Sequence, residues 1–162
     1  MIPRLSAHDI ECFEHAVQLA RFAAEEGNLP IGAVISLKGE IVGEGRNAIW
    51  HPKFDPSRHA EMEALRAVPV ECLPARRELI LYTTLEPCLM CLGAILLHSL
   101  GSVMFGALDS FSGASLVWDR LPPYFASQAE SMSWVGPAYE EVCNELFDQV
   151  MRKIELRDEG GG

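Results

Sequence analysis

At 162 residues the chain has the length of a single domain with enough material to bury a core. Its 49% apolar and 22% charged residues fit an ordinary globular protein, and 23 acidic against 13 basic residues leave a formal charge of -10. That balance argues against a polyanion held by general charge, which rests on Lys and Arg, but leaves room for a local basic patch.

The first predicted element is an amphipathic helix over 6–26. Ser6 caps it with Asp9 completing a capping box, and Ile10, Phe13, Val17, Ala20 and Ala24 share one apolar face up to the stop at Gly27. His8, Cys12 and His15 on this helix read as exposed or core residues. A hairpin follows, with strands over 31–37 and 40–44 joined by Lys38-Gly39, a two-residue turn with Gly where positive φ is needed. Asp55-Pro56 has the form of a helix start and places His59–Leu65 in the first turns of a second helix. The apolar run 78–83 suits a buried central strand, and Pro87 is expected to open a helix reaching Ser99. A fourth strand is expected at 103–106, a loop at 109–113 and a short helix at 114–120. A short strand at 132–135 and a last helix from Ala138 to Ile154 complete the order, with 158–162 expected as a disordered tail beyond a single domain spanning 1–157. Strand, helix, strand with a right-handed crossover predicts parallel pairing. The expected fold is a three-layer α/β/α arrangement, a mixed five-stranded sheet with helices on both faces.

Two short stretches carry chemistry. Cys88 and Cys91 stand three apart at a predicted helix start, so both sulfurs can turn toward one point. With His59 they make three ligands, the count of a catalytic zinc that keeps its fourth position for water. Glu61 lies two residues beyond His59, near enough to carry protons without binding the metal. Alone, Cys-x-x-Cys also fits a redox dithiol or half of a structural zinc site. A redox pair has no use for Glu61, and a structural site needs a fourth ligand that no motif here places. His-x-Glu, a 29-residue separation, Pro87 directly before Cys88 and a strand-like run before that are independent requirements met together. The pattern H-x-E followed by P-C-x-x-C is that of zinc-dependent deaminases.

On these residues the chain resembles the cytidine deaminase-like superfamily over roughly 16–113. It is most similar to the branch holding bacterial tRNA adenosine deaminases and guanine deaminases. Pro30–Val34, Gly45-Arg46-Asn47, Asp55–Glu61, Thr84–Cys91 and Phe105–Asp109 carry the likeness. The resemblance implies one zinc per chain on His59, Cys88 and Cys91, with Glu61 moving protons during hydrolytic deamination. It implies substrate contacts from Asn47 and the Ala60 N–H, where Asn47 alone would read as a turn residue after a strand. It also implies a homodimer. Glu86 reads as fixing the loop that carries Cys88, the alternative being a solvated carboxylate.

The expected substrate is a small aminated heterocycle, guanine or a related purine first. The loop 108–113 has no Lys or Arg, and Arg152, Lys153 and Arg157 are interleaved with acids. Phe111, Trp118, Tyr124, Phe125 and Trp134 offer one or two rings to stack on a flat base. The alternative is adenosine within tRNA, and the alternative of another class is a zinc-stabilised binding protein without turnover, in which Glu61 would have no task. Five cysteines, an odd number with no secretory apolar stretch ahead of them, point to a reducing, cytoplasmic setting. The longest apolar run, 92–97, is too short to span a bilayer, so no membrane partner is expected.

Overall fold

In the computed structural model, residues 4–160 are described. Lys38 (φ 52°) and Gly39 (φ 86°) both take the left-handed conformation, the turn geometry that matches strand twist. They join β1 (Gly32–Leu37) to β2 (Glu40–Arg46). β3 (Ile80–Leu85), β4 (Ser102–Ala107) and β5 (Ser133–Val135) complete a five-stranded sheet of order β2-β1-β3-β4-β5. β1 is antiparallel to β2 and β3, while β3, β4 and β5 run parallel. The sheet is therefore mixed, as expected.

Strand alternation divides the helices. Val34, Tyr82 and Met104 face Cys12, Phe13 and Leu19 of α1 (Ala7–Glu25). Ser6 and Asp9 form the predicted capping box at its start. Gly32 has no room for a Cβ because the α1 backbone at Ala16 and Ala20 lies against it. On the opposite face Gly45 meets the backbone of α2 (Ala60–Ala67) at Ala60 and Ala64 in the same way. α3 (Leu89–His98) lies beside α2, burying Leu92, Ile95 and Leu96. α5 (Glu140–Gly160) packs against β4 and β3 on the α1 side, where Tyr139 stacks on Phe13.

Several boundaries differ from the sequence expectation, with local causes. Asp55 does not cap a helix: its Oδ1 accepts from the Ser57 N–H (2.9 Å) and hydroxyl (2.6 Å), closing a turn instead. α2 begins at Ala60, which leaves His59 extended at the cap (φ -74°, ψ 154°). Pro87 likewise precedes the cap of α3, which is Cys88. Residues 70–78 form 3-10 turns, so the strand expected from 78 begins at Ile80, and the short helix expected at 114–120 is also of the 3-10 kind. A helix that was not expected, α4 (Pro123–Ala129), opens at Pro123 between that short helix and β5. Asp158–Gly160, expected in a disordered tail, belong to α5, whose last turns are anchored by Arg157 lying 3.8 Å over the Trp50 ring. Gly161 and Gly162 lie outside the described residues.

Candidate active site

The shifted helix starts place the metal-type donors. Cys88 is the cap of α3 and Cys91 stands three residues on, the two positions whose side chains meet over a first turn. β3 delivers that turn to the end of the sheet where β2 ends and α2 begins. His59, extended at the α2 cap, turns Nδ1 to 3.6 Å from Cys88 Sγ and 3.6 Å from Cys91 Sγ. The three donor atoms lie within 4.8 Å of one another. Tetrahedral zinc, with bonds of about 2.3 Å to sulfur and about 2.0–2.1 Å to nitrogen, sets nitrogen and sulfur about 3.6 Å apart. The donor set fits a divalent metal in both spacing and chemistry.

Protonation in the centre follows from crowding. Cys91 donates to Cys88, and with His59 also bonded to it the Cys88 thiol is held down to about 4. The same bond pushes Cys91 far up. His59 is raised, chiefly by its bond to Cys88. Glu61, in the first turn of α2, is 3% exposed, and burial raises its carboxyl to about 7 despite the neighbouring His59. The centre thus holds a carboxyl whose proton affinity lies near neutrality beside a cluster that a cation would organise.

A cavity of about 420 Å³ opens onto His59, Glu61 and Cys88. Asn47, fully buried at the end of β2, also lines it, and its Nδ2 has no hydrogen-bond partner among the described residues. An orphaned buried donor is costly and marks a place where a ligand atom belongs. Ala60 is buried at the first position of α2, where backbone N–H groups lack helical acceptors. The structure therefore brings together all six residues singled out from the sequence: Asn47, His59, Ala60, Glu61, Cys88 and Cys91.

Glu86 is nearly fully buried, and its role is sharper than expected. Its Oε2 accepts from the Asp109 N–H (3.1 Å) and its Oε1 from the Ser115 N–H (2.8 Å), so it pins the 109–115 loop. That loop in turn pairs with the turn carrying Cys88, the Ala114 N–H donating to the Pro87 carbonyl at 2.9 Å. Asp109 shapes the same loop by accepting from the Phe111 (2.9 Å) and Ser112 (3.0 Å) N–H groups. Of the aromatic residues offered by the sequence, only Phe111 lines the cavity. Trp118 and Trp134 pack on each other at 4.9 Å, and Phe125 lines a separate apolar groove.

Sequence reasoning missed the outer wall: Phe147, Val150, Met151 and Ile154 of α5 close the cavity. The apolar face of this helix was visible, but not what it covers. It also missed Asn28, whose Oδ1 accepts from Trp50 and His51 N–H groups at 3.0 Å each, bracing the loop after Asn47. An Asn directly after a helix-ending Gly was the available signal.

This fold with this centre defines a hydrolytic deaminase of the cytidine deaminase-like superfamily, so a binding protein without turnover is set aside. The chain belongs to the MafB19-like deaminase family, whose model matches residues 7–133. It is 35% identical over 147 residues to a tRNA-specific adenosine deaminase of Bacillus subtilis, covering 87% of each chain. A solved structure from studies of A-to-I editing by tRNA:A34 deaminases at the wobble position superposes with a TM-score of 0.69. It is 30% identical and covers 85% of this chain and 99% of that one. Guanine deaminase from Bacillus subtilis superposes with a TM-score of 0.57 at 32% identity, covering 73% of this chain and 79% of that one. No helix among the described residues is long and apolar enough to cross a membrane.

Proposed function

We propose that the protein is a zinc-dependent deaminase that converts adenosine to inosine within tRNA. The observation that carries the chemistry is the buried Glu61 carboxyl beside three converging metal-type donors. Support for the substrate is the identity shared with the tRNA-specific adenosine deaminase over 87% of both chains, which outweighs the sequence-based preference for guanine.

Zinc held by His59, Cys88 and Cys91 supplies the Lewis acidity that makes water nucleophilic near neutral pH. Glu61 takes the proton of the attacking water and passes it to the ring nitrogen beside the amine-bearing carbon. The water oxygen bonds to that carbon, Glu61 carries the second proton to the departing amine, the carbon–nitrogen bond breaks and ammonia leaves. A carboxyl raised to about 7 by burial can accept and donate within one turnover. The Asn47 amide donates to an acceptor on the ring, and the Ala60 N–H serves a second acceptor. Phe111 and Phe147 offer apolar surface to the base.

Guanine remains the second reading, favoured by the charge of -10 and by a 108–113 loop without Lys or Arg. The two separate in one assay: inosine formation in a tRNA anticodon stem-loop beside ammonia release from guanine, adenine, cytosine and their nucleosides, each at several ionic strengths. The tRNA reading expects efficient inosine formation that weakens steeply with salt. Salt-insensitive turnover of free guanine with no inosine in RNA would replace it with the second reading.

A further inference from the structure

A cavity of about 420 Å³ accommodates a base, and an RNA strand that presents the base must leave along some other surface. Behind the two segments bearing Asn47 and His59 lies an open groove of about 770 Å³. The groove and the cavity are two sides of one wall. Arg46 and Ala48 line the groove while Asn47 between them lines the cavity, and Arg58 lines the groove while the adjacent His59 lines the cavity. The Ala48 N–H donates to the Arg58 carbonyl at 3.0 Å, which ties the two segments together.

Three arginines sit in this groove. Arg58 Nη2 donates to one oxygen of Glu63 at 3.0 Å and Arg66 Nη1 to the other at 2.6 Å. A single carboxylate thus holds two guanidiniums side by side, with a local charge of one positive and most of their N–H donors unspent. Both side chains keep access to solvent, 34% for Arg58 and 53% for Arg66. Arg46 is gripped by Glu26 through Nε (2.8 Å) and Nη2 (2.7 Å). The remaining groove carboxylate, Glu44, bonds His15 at 2.7 Å. The formal charges of its three arginines and three glutamates cancel, so the groove is no general sink for polyanions. It offers fixed arginine forks, the geometry that matches phosphate oxygens. A chain of charge -10 can hold RNA in this way, by a few placed contacts rather than a basic face.

We propose that this groove binds the phosphodiester backbone flanking the target base, with Arg58 and Arg66, paired through Glu63, as its phosphate contacts. The assignment rests on the proposed tRNA substrate. It is tested by the affinity of an anticodon stem-loop RNA, its target adenosine replaced by a nucleoside without an exocyclic amine, at several salt concentrations. The proteins compared are the unmodified chain, Arg58→Gln/Arg66→Gln and Arg58→Lys/Arg66→Lys, each with bound zinc verified. The glutamine pair should bind about 10-fold or more weakly at moderate salt and lose about two from the salt slope. In turnover of the natural stem-loop its loss should fall on KM rather than kcat. The lysine pair keeps the charge and should keep the slope.

Unmodified affinity and slope in the glutamine pair would overturn the groove while leaving the tRNA reading intact. The groove is equally overturned if both pairs weaken with no change of slope, since the loss would then be structural. A 5′-mononucleotide bound as tightly as the stem-loop, and equally sensitive to the glutamine pair, would make the groove a mononucleotide site and overturn the RNA assignment. An unmodified chain that makes no inosine in RNA but releases ammonia from a free base overturns both readings together.

Discussion

The two walls of the cavity are built differently. The inner wall, with His59, Glu61, Cys88 and Cys91, is set by helix caps and strand ends buried in the core of the fold. The outer wall is the 109–113 loop and the second half of α5, held mostly by individual side chains. Asp109 and Glu86 shape the loop, Lys153 Nζ donates to the carbonyls of Ala24 (3.4 Å) and Asn28 (2.8 Å), and Arg157 covers Trp50. Moving the inner wall would require refolding the sheet and two helices. The outer wall can be re-tuned one contact at a time, so reaction type is expected to depend on the first and the fit around the base on the second.

The largest expected effect lies on the inner wall. Cys88→Ala/Cys91→Ala should lose the bound zinc and all turnover, measured by metal analysis beside product formation. Single changes at Cys12, Cys72 or Cys143 should keep the full metal complement. A double variant that retained zinc would break the comparison, because the inner wall would no longer be the metal wall.

Asn47→Ala comes next. Its amide nitrogen is a buried donor without a partner among the described residues, and its Oδ1 receives only a long bond of 3.4 Å from the Ile49 N–H. Loss of a substrate hydrogen bond should lower kcat/KM about 10-fold or more, the ~1.4 kcal/mol of one such bond. Thermal stability should stay level or rise slightly, because an unsatisfied buried group is removed. A marked fall in stability with kcat/KM unchanged would make Asn47 a structural turn residue.

The smallest effect is expected from Lys153→Met. It frees the carbonyls at the end of α1 from their bond to α5 and loosens the outer wall without touching the metal donors. KM should rise a few-fold, with kcat and zinc content close to unmodified. A loss confined to kcat would erase the division between the walls.

The inner wall was legible in the sequence because its constraints are short-range and chemical. A proline before Cys88, two cysteines three apart and His59-x-Glu61 restrict the chain to few arrangements, and the strand and helix patterns around them agree. Two helix starts were misread locally, at Pro56 and at Pro87; the first arose because Asp55 had two partners available and Ser57 won. Of the outer wall, the 109–113 loop with Phe111 was legible, whereas the part formed by α5 was not. The apolar stripe of α5 could cover any sheet surface, and its facing of the cavity depends on contacts such as Lys153 to Asn28 across 125 residues. Asn28 escaped notice for the same reason, since its partners lie in the loop at 50–51.

The most direct test of the proton-carrying role is zinc content and product formation measured on one preparation of Glu61→Gln. Glutamine keeps the shape of the side chain, removes its proton-carrying capacity and leaves His59, Cys88 and Cys91 untouched. The expected result is about one zinc per chain and turnover reduced on the order of 10²–10⁴-fold or more. Unmodified turnover in the zinc-loaded variant would contradict it, because Glu61 would then not be the group that moves the proton.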